Sequence, residues 1–228
     1  MIVFFQLCIY YILRLFKPFY SHNMPLNLKS KGLMLILSAP SGGGKSSLAR
    51  ALLDADENIK LSVSATTRKP RPVEQEAIDY YFKSEEKFAE LERQGAFFES
   101  AKIYTNYYGT PIAPIEVAIK QNTDILFDID WQGARTIKQK VPSAVSIFLL
   151  PPSNEILKRR LLARNQDSLE EIDRRVLENQ EIMFYATEYD YVIINDDFSV
   201  ALEQIKAILQ AERLKRIRLD QLDNFLKL

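Results

Sequence analysis

From Leu33 onward the chain alternates short apolar runs with stretches whose apolar residues recur every three or four positions. Residues 33–37 (Leu-Met-Leu-Ile-Leu) and 125–127 (Ile-Leu-Phe) are unbroken, and 145–150 and 191–194 are nearly so. Runs of this kind without alternation predict strands covered on both faces. Helical spacing lies between them: Leu48 and Leu52 are four apart, and Ile112, Ile115 and Ile119 share one face of 111–120. A closing helix carries Leu202, Ile205, Ile208 and Leu209, with Ser199 as its expected N-cap. Strands separated by helices pair in parallel, so the expected fold is α/β, a three-layer α/β/α core around a parallel sheet.

Two stretches break this rhythm. Residues 63–110 are rich in Tyr, Phe, Pro and charge, with no long apolar strand, and predict an inserted lobe that we extend to 63–125. Residues 153–180 are dense in Arg and Glu and predict two short helices with little apolar surface. Few buried contacts mean low local stability, which suits a movable lid. The expected division is an extension (1–30), core (31–62), lobe (63–125), core (126–152), lid (153–180), and core with a C-terminal helix (181–228). In the extension, residues 2–13 are apolar and aromatic apart from Gln6, with Arg14 and Lys17 after them. That run falls short of the roughly 20 residues of a membrane span. Its charges follow the apolar run instead of preceding it, unlike a secretory signal. Two expectations stand: a translation-start artefact, with Met24 as the true start, or a weak membrane-surface anchor.

Charge and rare residues narrow the chemistry. Thirty basic and thirty acidic side chains cancel, so no general pull toward nucleic acid or an anionic membrane is expected, and anions must be held by local clusters. Neither nucleic-acid binding nor stable membrane insertion is expected; the oligomeric state is left open. Cys8 is the sole cysteine, so no intrachain disulfide can form, which suits the reducing cytoplasm. The single histidine, His22, lies before the first strand, which excludes His–Cys zinc sites and histidine triads.

The strongest motif is 38–47, Ser-Ala-Pro-Ser-Gly-Gly-Gly-Lys-Ser-Ser. It matches a phosphate-binding loop except that Ala39 replaces the first glycine. Pro40 and Ser41 lead into Gly42, Gly43 and Gly44, whose backbone can turn successive N–H groups onto an anion. The next helix adds its N-terminal dipole. Lys45 can reach β- and γ-phosphates, Ser46 can ligate Mg²⁺, and Ser47 completes the segment. Together these imply a nucleoside triphosphate site. A second anion site is suggested by 62–72, where Pro70 and Pro72 stiffen a loop carrying Arg68 and Arg71. Two such arginines alone would usually be solvated surface. Tyr107, Tyr108 and Thr110 flank Gly109, and Tyr80 sits in an aromatic run; lobe packing is the plain account of most of these aromatics. Glu99 closes an apolar run, as a strand-end surface group or as a buried acceptor. A carboxylate facing guanine would take N1–H and the 2-amino group together and reject adenine. Asp128 and Asp130, two apart at a strand end, are expected on one face. Arg160 and Arg164 lie four apart and repel unless they share an anion, while Arg175 could simply pair with Glu171.

Five segments occur here in the order found in the guanylate kinase family, which the chain resembles over about residues 31–215. They are the phosphate loop, 62–72, 106–110 (Asn-Tyr-Tyr-Gly-Thr), 128–133 (Asp-Ile-Asp-Trp-Gln-Gly) and 192–197 (Val-Ile-Ile-Asn-Asp-Asp). The resemblance implies transfer of a phosphoryl group from ATP with Mg²⁺ to GMP in the cytoplasm, with 63–125 as the GMP-binding lobe. It implies that Arg68, Arg71, Tyr80 and Tyr108 hold the GMP phosphate, and that Ser64, Glu99, Thr110 and Asp130 hold the base. It puts Arg160, Arg164 and Arg175 in a lid over the triphosphate. The division of roles between Asp128 and Asp130 stays open, with Asp128 assigned to a metal-bound water. Val73 and Ala77 stand where the family usually has glycine, and Ala163 and Asn165 flank the lid arginine. A protein-binding module of the same fold would need neither the glycine loop nor the arginines, and a GTP hydrolase would need an Asn-Lys-x-Asp motif, which is missing.

Overall fold

The computed structural model describes residues 30–163, 169–219, 222 and 226. Strand β1 (Met34–Ser38) is buried at every position, so both of its faces need cover. It is followed by α1 (Lys45–Ala55), β2 (Ile59–Leu61), β3 (Ala65–Thr66), β4 (Tyr81–Phe82), α2 (Glu85–Arg93), β5 (Phe97–Ile103) and β6 (Asn106–Pro111). Then come α3 (Ile112–Lys120), β7 (Asp124–Asp128), α4 (Trp131–Lys140), β8 (Val145–Leu150), α5 (Asn154–Ala163), α6 (Leu169–Phe184), β9 (Tyr191–Ile194) and α7 (Phe198–Arg213). Strands β2, β7, β1, β8 and β9 form one parallel sheet in that order.

The unbroken apolar character of β1 serves two layers. Leu35 and Leu37 pack with Leu48 and Leu52 of α1 and with Ala201, Ile205 and Leu209 of α7. Met34 and Ile36 pack instead with Ile115 and Ala118 of α3 and Ala134 and Ile137 of α4. Burying each leucine contributes roughly 2 kcal/mol, and these two clusters hold the three-layer core together.

Two details differ from the periodicity. Ile119 is exposed, and the buried positions of α3 are Ile115 and Ala118. Outside β7 lies only the three-residue edge strand β2, so the outer flank of α3 has little sheet to pack against. The N-cap of α7 is Asp197, not Ser199: its carboxylate accepts from the N–H groups of Ser199 (2.8 Å) and Val200 (3.0 Å). The aspartate reaches two of the four orphan donors of the first turn, which leaves Ser199 inside the helix.

The stretch without long apolar runs builds a second sheet, ordered β4-β3-β6-β5, with β3 and β4 parallel and the other pairs antiparallel. Phe88 of α2 stacks on Phe97 (4.6 Å between centroids) and lies 5.7 Å from Tyr107, giving the lobe an apolar centre. Helices α5 and α6 share a small cluster of Leu157, Leu161 and Ile172, with Val176 and Met183 against it. At sixteen residues α6 is longer than expected. No helix among the described residues is long and apolar enough to cross a membrane.

One buried ionic knot ties the ends of the core together. Arg213 of α7 donates to Asp124 and to Asp56, each at 2.6 Å, and Asp124 also accepts the Leu33 N–H at 2.9 Å. Asp124→Ala leaves the Leu33 N–H unpaired and removes one of the two carboxylates facing Arg213. We expect a loss of about 3 kcal/mol of unfolding free energy, seen as a lower urea midpoint at unchanged slope.

Candidate active site

The chain turns from β1 into α1 through residues 39–44. Gly42 and Gly44 have φ of 89° and 91°, a left-handed conformation open to glycine without a Cβ penalty. Gly43 N–H donates to Pro40 O at 2.9 Å and closes the turn. No side chain caps the start of α1, so its first-turn N–H groups stay available to an outside acceptor. Lys45, Ser46 and Ser47 begin this helix, with Ser46 and Ser47 exposed. Because β1 and β7 are parallel with Leu37 opposite Asp128, the C-terminal end of β7 adjoins the loop. There the Lys45 ammonium pairs with the Asp128 carboxylate.

Two asparagines that sequence reasoning missed brace the loop from outside. Asn179 of α6 is fully buried; its Oδ1 accepts Ser41 N–H and its Nδ2 donates to Ser41 O, both at 3.0 Å. Asn195, just past β9, donates from Nδ2 to Gly43 O at 2.8 Å. A Cβ on Gly44 would collide with the Asn195 side chain. Asn195 could have been found from its place at the carboxyl end of a parallel strand, where α/β sheets gather ligands. The signal for Asn179 is a polar residue in the apolar stripe Ile172, Val176, Asn179, Met183.

Across from the loop lies the lobe. Arg68 Nη2 donates to both oxygens of Glu74 (2.7 and 2.9 Å), and Arg71 lies 3.7 Å from the same carboxylate while its backbone N–H donates to it at 2.8 Å. Burial pushes the Glu74 carboxyl up, but the hydrogen bonds from Arg68 and from the Arg71 backbone outweigh it and hold the group below the ordinary range. The same pairing, with Tyr108 adding to it, raises Arg68 against the opposing effect of burial. The Arg68 guanidinium stands 5.3 Å from the centre of the Tyr80 ring, which meets Tyr108 edge-on at 6.0 Å. Burial and then the nearby Asp128 charge raise the Tyr80 hydroxyl well above its ordinary value. Ala77, three residues earlier, sits at φ 64°, a conformation better suited to glycine.

Glu99 and Thr110 face each other across β5 and β6, and the Thr110 hydroxyl donates to Glu99 Oε1 at 2.5 Å. Burial pushes the Glu99 carboxyl up to about 7, opposed by Thr110 and reinforced by Asp130. Asp130 lies past the end of β7, where it caps α4 by accepting Gly133 N–H at 3.0 Å, so the two aspartates do not share one strand face. Burial raises its carboxyl, while Gly133 N–H and Lys45 pull the other way. A Cβ on Gly133 would come within 2.9 Å of Glu99 Oε2, so the absence of a side chain there gives the carboxylate its room. Ser64 is buried at the head of β3, its carbonyl accepting Tyr81 N–H at 2.9 Å.

Lys45 pairs with Asp128 and Arg68 stands over Tyr80, while the charges of Asp128 and Asp130 act on Tyr80 and Glu99 respectively, so loop and lobe share one electrostatic neighbourhood. The lid arginines are less uniform. Arg160 donates to Asn195 O at 2.9 Å. Arg175 donates to Glu171 at 3.1 Å, the i, i+4 pairing its spacing allowed. Arg164 lies outside the described residues. Tyr104, at the β5–β6 hairpin, stands 5.5 Å from Arg174 and 5.9 Å from Arg175, so the lobe touches α6. Burial, then Glu178, pushes its hydroxyl up to about 12.

A sequence model of the guanylate kinase family matches residues 31–212. The chain is 54% identical to guanylate kinase from Rickettsia bellii, over 82% of this chain and 98% of that protein. It is 50% identical to guanylate kinase from Methylobacillus flagellatus, over 82% of this chain and 92% of the relative. Among solved structures, a crystal structure of guanylate kinase from Anaplasma phagocytophilum superposes with a TM-score of 0.76 at 37% identity, covering 88% of this chain and 96% of that one. The matched span holds the glycine loop, the two-arginine loop and both strand-end aspartates, and the chain belongs to the guanylate kinase family.

Proposed function

We propose that the chain transfers the γ-phosphoryl group of ATP to GMP, giving ADP and GDP. One observation carries the chemistry: the Asp128 carboxylate that pairs with Lys45 of the glycine loop also acts through its charge on Tyr80 of a lobe holding two arginines and a buried acid. In this scheme residues 39–47 cradle the ATP phosphates, and Lys45 leaves Asp128 to meet the β- and γ-oxygens. Arg68, Arg71, Tyr80 and Tyr108 take the GMP phosphate, with Glu74 giving up its hold on the arginines. Ser64, Glu99, Thr110 and Asp130 receive the base, where a carboxylate satisfies two adjacent guanine donors. Arg160, Arg164 and Arg175 close over the triphosphate, with 63–125 and 153–180 as the moving parts.

Among the described residues no group of three His, Cys, Asp or Glu side chains could hold a metal ion by itself. The hard oxygens of Ser46 and Asp128 suit Mg²⁺ arriving with the nucleotide, Ser46 directly and Asp128 through a bound water. When bound, Mg²⁺ supplies charge neutralisation at the β- and γ-oxygens. The acceptor is already an anionic phosphate oxygen, so no strong general base is needed. Catalysis is in-line positioning and charge stabilisation by Lys45 and the arginines, with closure excluding water. A cytoplasmic setting belongs to the same proposal, supported by a chain whose one cysteine can form no internal disulfide.

A coupled assay supplying ATP and GMP tests the function: ADP and GDP should form together, and ATP hydrolysis independent of GMP would refute it. Lys45→Ala should abolish turnover while leaving GMP binding nearly intact, checked by calorimetric titration with GMP.

Glu99→Gln should weaken the preference for GMP over AMP, read as the ratio of their kcat/KM values. With its carboxyl raised to about 7, ionising Glu99 for guanine costs more as pH falls. The wild-type KM for GMP should therefore climb below pH 7, and Glu99→Gln should lose that dependence. For stability the sign is opposite: the folded state holds a proton that the unfolded chain releases above its ordinary carboxyl range. Stability therefore falls as pH rises from about 4.5 to about 7. Glu99→Gln should be more stable than wild type by up to about 3 kcal/mol above pH 7, with the gap closing near pH 5 in denaturant melts.

A further inference from the structure

The α5–α6 pair packs through an apolar seam, yet one position on the α6 side is an amide. Asn179 continues the stripe of Ile172 and Val176 and is fully buried. Burying an amide among apolar side chains is unfavourable unless its donor and acceptor are both satisfied. Here both are, and by a single residue of the phosphate loop: Ser41 N–H to Oδ1 and Nδ2–H to Ser41 O, each at 3.0 Å. The two bonds form a closed pair between a side-chain amide and the backbone N–H and C=O of one residue 138 positions away. Leucine or alanine at this position would leave two part-buried backbone groups of the loop without their side-chain partner.

Ser41 is the residue just before the glycines. Beyond it, a Cβ on Gly42 would touch Leu161 of α5 at 3.2 Å, and Gly43 O is taken by Asn195. The outer wall of the loop is thus bonded at Ser41 and Gly43 by two asparagines, with Leu161 of α5 close beside Gly42 between them, and Asn179 supplies the hold at its entrance. It also sits one helical turn after Arg175, so the same contact sets how far that arginine's turn of α6 stands from the loop.

We propose that Asn179 is a positioning residue for the donor nucleotide. By clamping its turn of α6 to Ser41 it fixes the loop in the shape that receives the triphosphate and holds that one turn while the rest of the lid moves. This rests on the kinase function proposed above. It assigns Asn179 no contact with substrate; its effect passes through the Ser41 backbone. The acceptor side, built on β3–β6, has no share in the clamp.

The test is steady-state kinetics on the full chain with ATP and GMP titrated separately, together with calorimetric ATP titrations and thermal melts. Asn179→Ala should raise both KM and Kd for ATP by about tenfold and leave KM for GMP within twofold of wild type. Asn179→Asp keeps the acceptor for Ser41 N–H but replaces the donor to Ser41 O with a carboxylate close to the triphosphate, and should weaken ATP at least as much. If Asn179→Ala does not fold, Asn179→Gln, which keeps the amide but displaces it by one methylene, carries the same expectation. A purely structural role would lower the melting temperature and leave the two KM values in their original ratio. That result, or ATP affinity within twofold of wild type in a folded variant, overturns the proposal. Absence of turnover by the wild-type chain in the same assay would instead overturn the kinase function itself.

Discussion

An enzyme that must hold two polyanions in one cleft has to keep a crowd of cations in order when neither is present. Here four of the cations assigned to phosphate have an internal carboxylate in attendance: Asp128 for Lys45, Glu74 for Arg68 and Arg71, Glu171 for Arg175. Without them, partly buried like charges would repel one another and drive the lobe and α6 outward. With them, nucleotide binding is an exchange of one anion for another. The net gain is smaller than the bare charges suggest, because a contact must break for each one formed. What the arrangement secures is geometry, since the guanidinium groups are already oriented before a phosphate arrives.

The parallel sheet makes this economical. Its strands all end on one side, so the loop after β1, Asp128 at the end of β7 and Asn195 after β9 converge without any long excursion of the chain. The helix that follows each strand then contributes its N-terminus at the same edge, as Asp130 shows by capping α4 beside the phosphate loop. The second sheet brings Glu99 and Thr110 to that edge from the other direction, and α6 touches both sides, through Asn179 at the loop and through the turn around Arg174 and Arg175 at Tyr104.

How much of this could be read from the sequence follows the range of the forces involved. Strands buried on both faces leave an apolar run in the chain, so 145–150 and 191–194 were legible to the residue. The two-residue strands β3 and β4 leave no period at all, and their sheet was seen only as a lobe. Ile119 misled because hydrophobicity marks what a helix could bury, whereas Ala118 is what the sheet covers. The glycine loop was visible because its physics is local, a few backbone angles and one lysine. Glu74, by contrast, carries no local mark of the two arginines the fold brings onto it, and Asn179 shows in the sequence only as a polar residue within the apolar stripe of α6. Pairings across the fold leave at most a polar residue in an unexpected place, without naming its partner.

The contact between Gly133 and Glu99 carries a consequence for how base selectivity is inherited. The acid proposed to read guanine is held on β5, but the space it occupies is set by a missing side chain on α4. Any change at that glycine reaches the ligand without touching it, through the tilt of a neighbour's carboxylate. The determinant of selectivity is thereby split between two elements, and a substitution on either the helix or the strand acts on the same carboxylate.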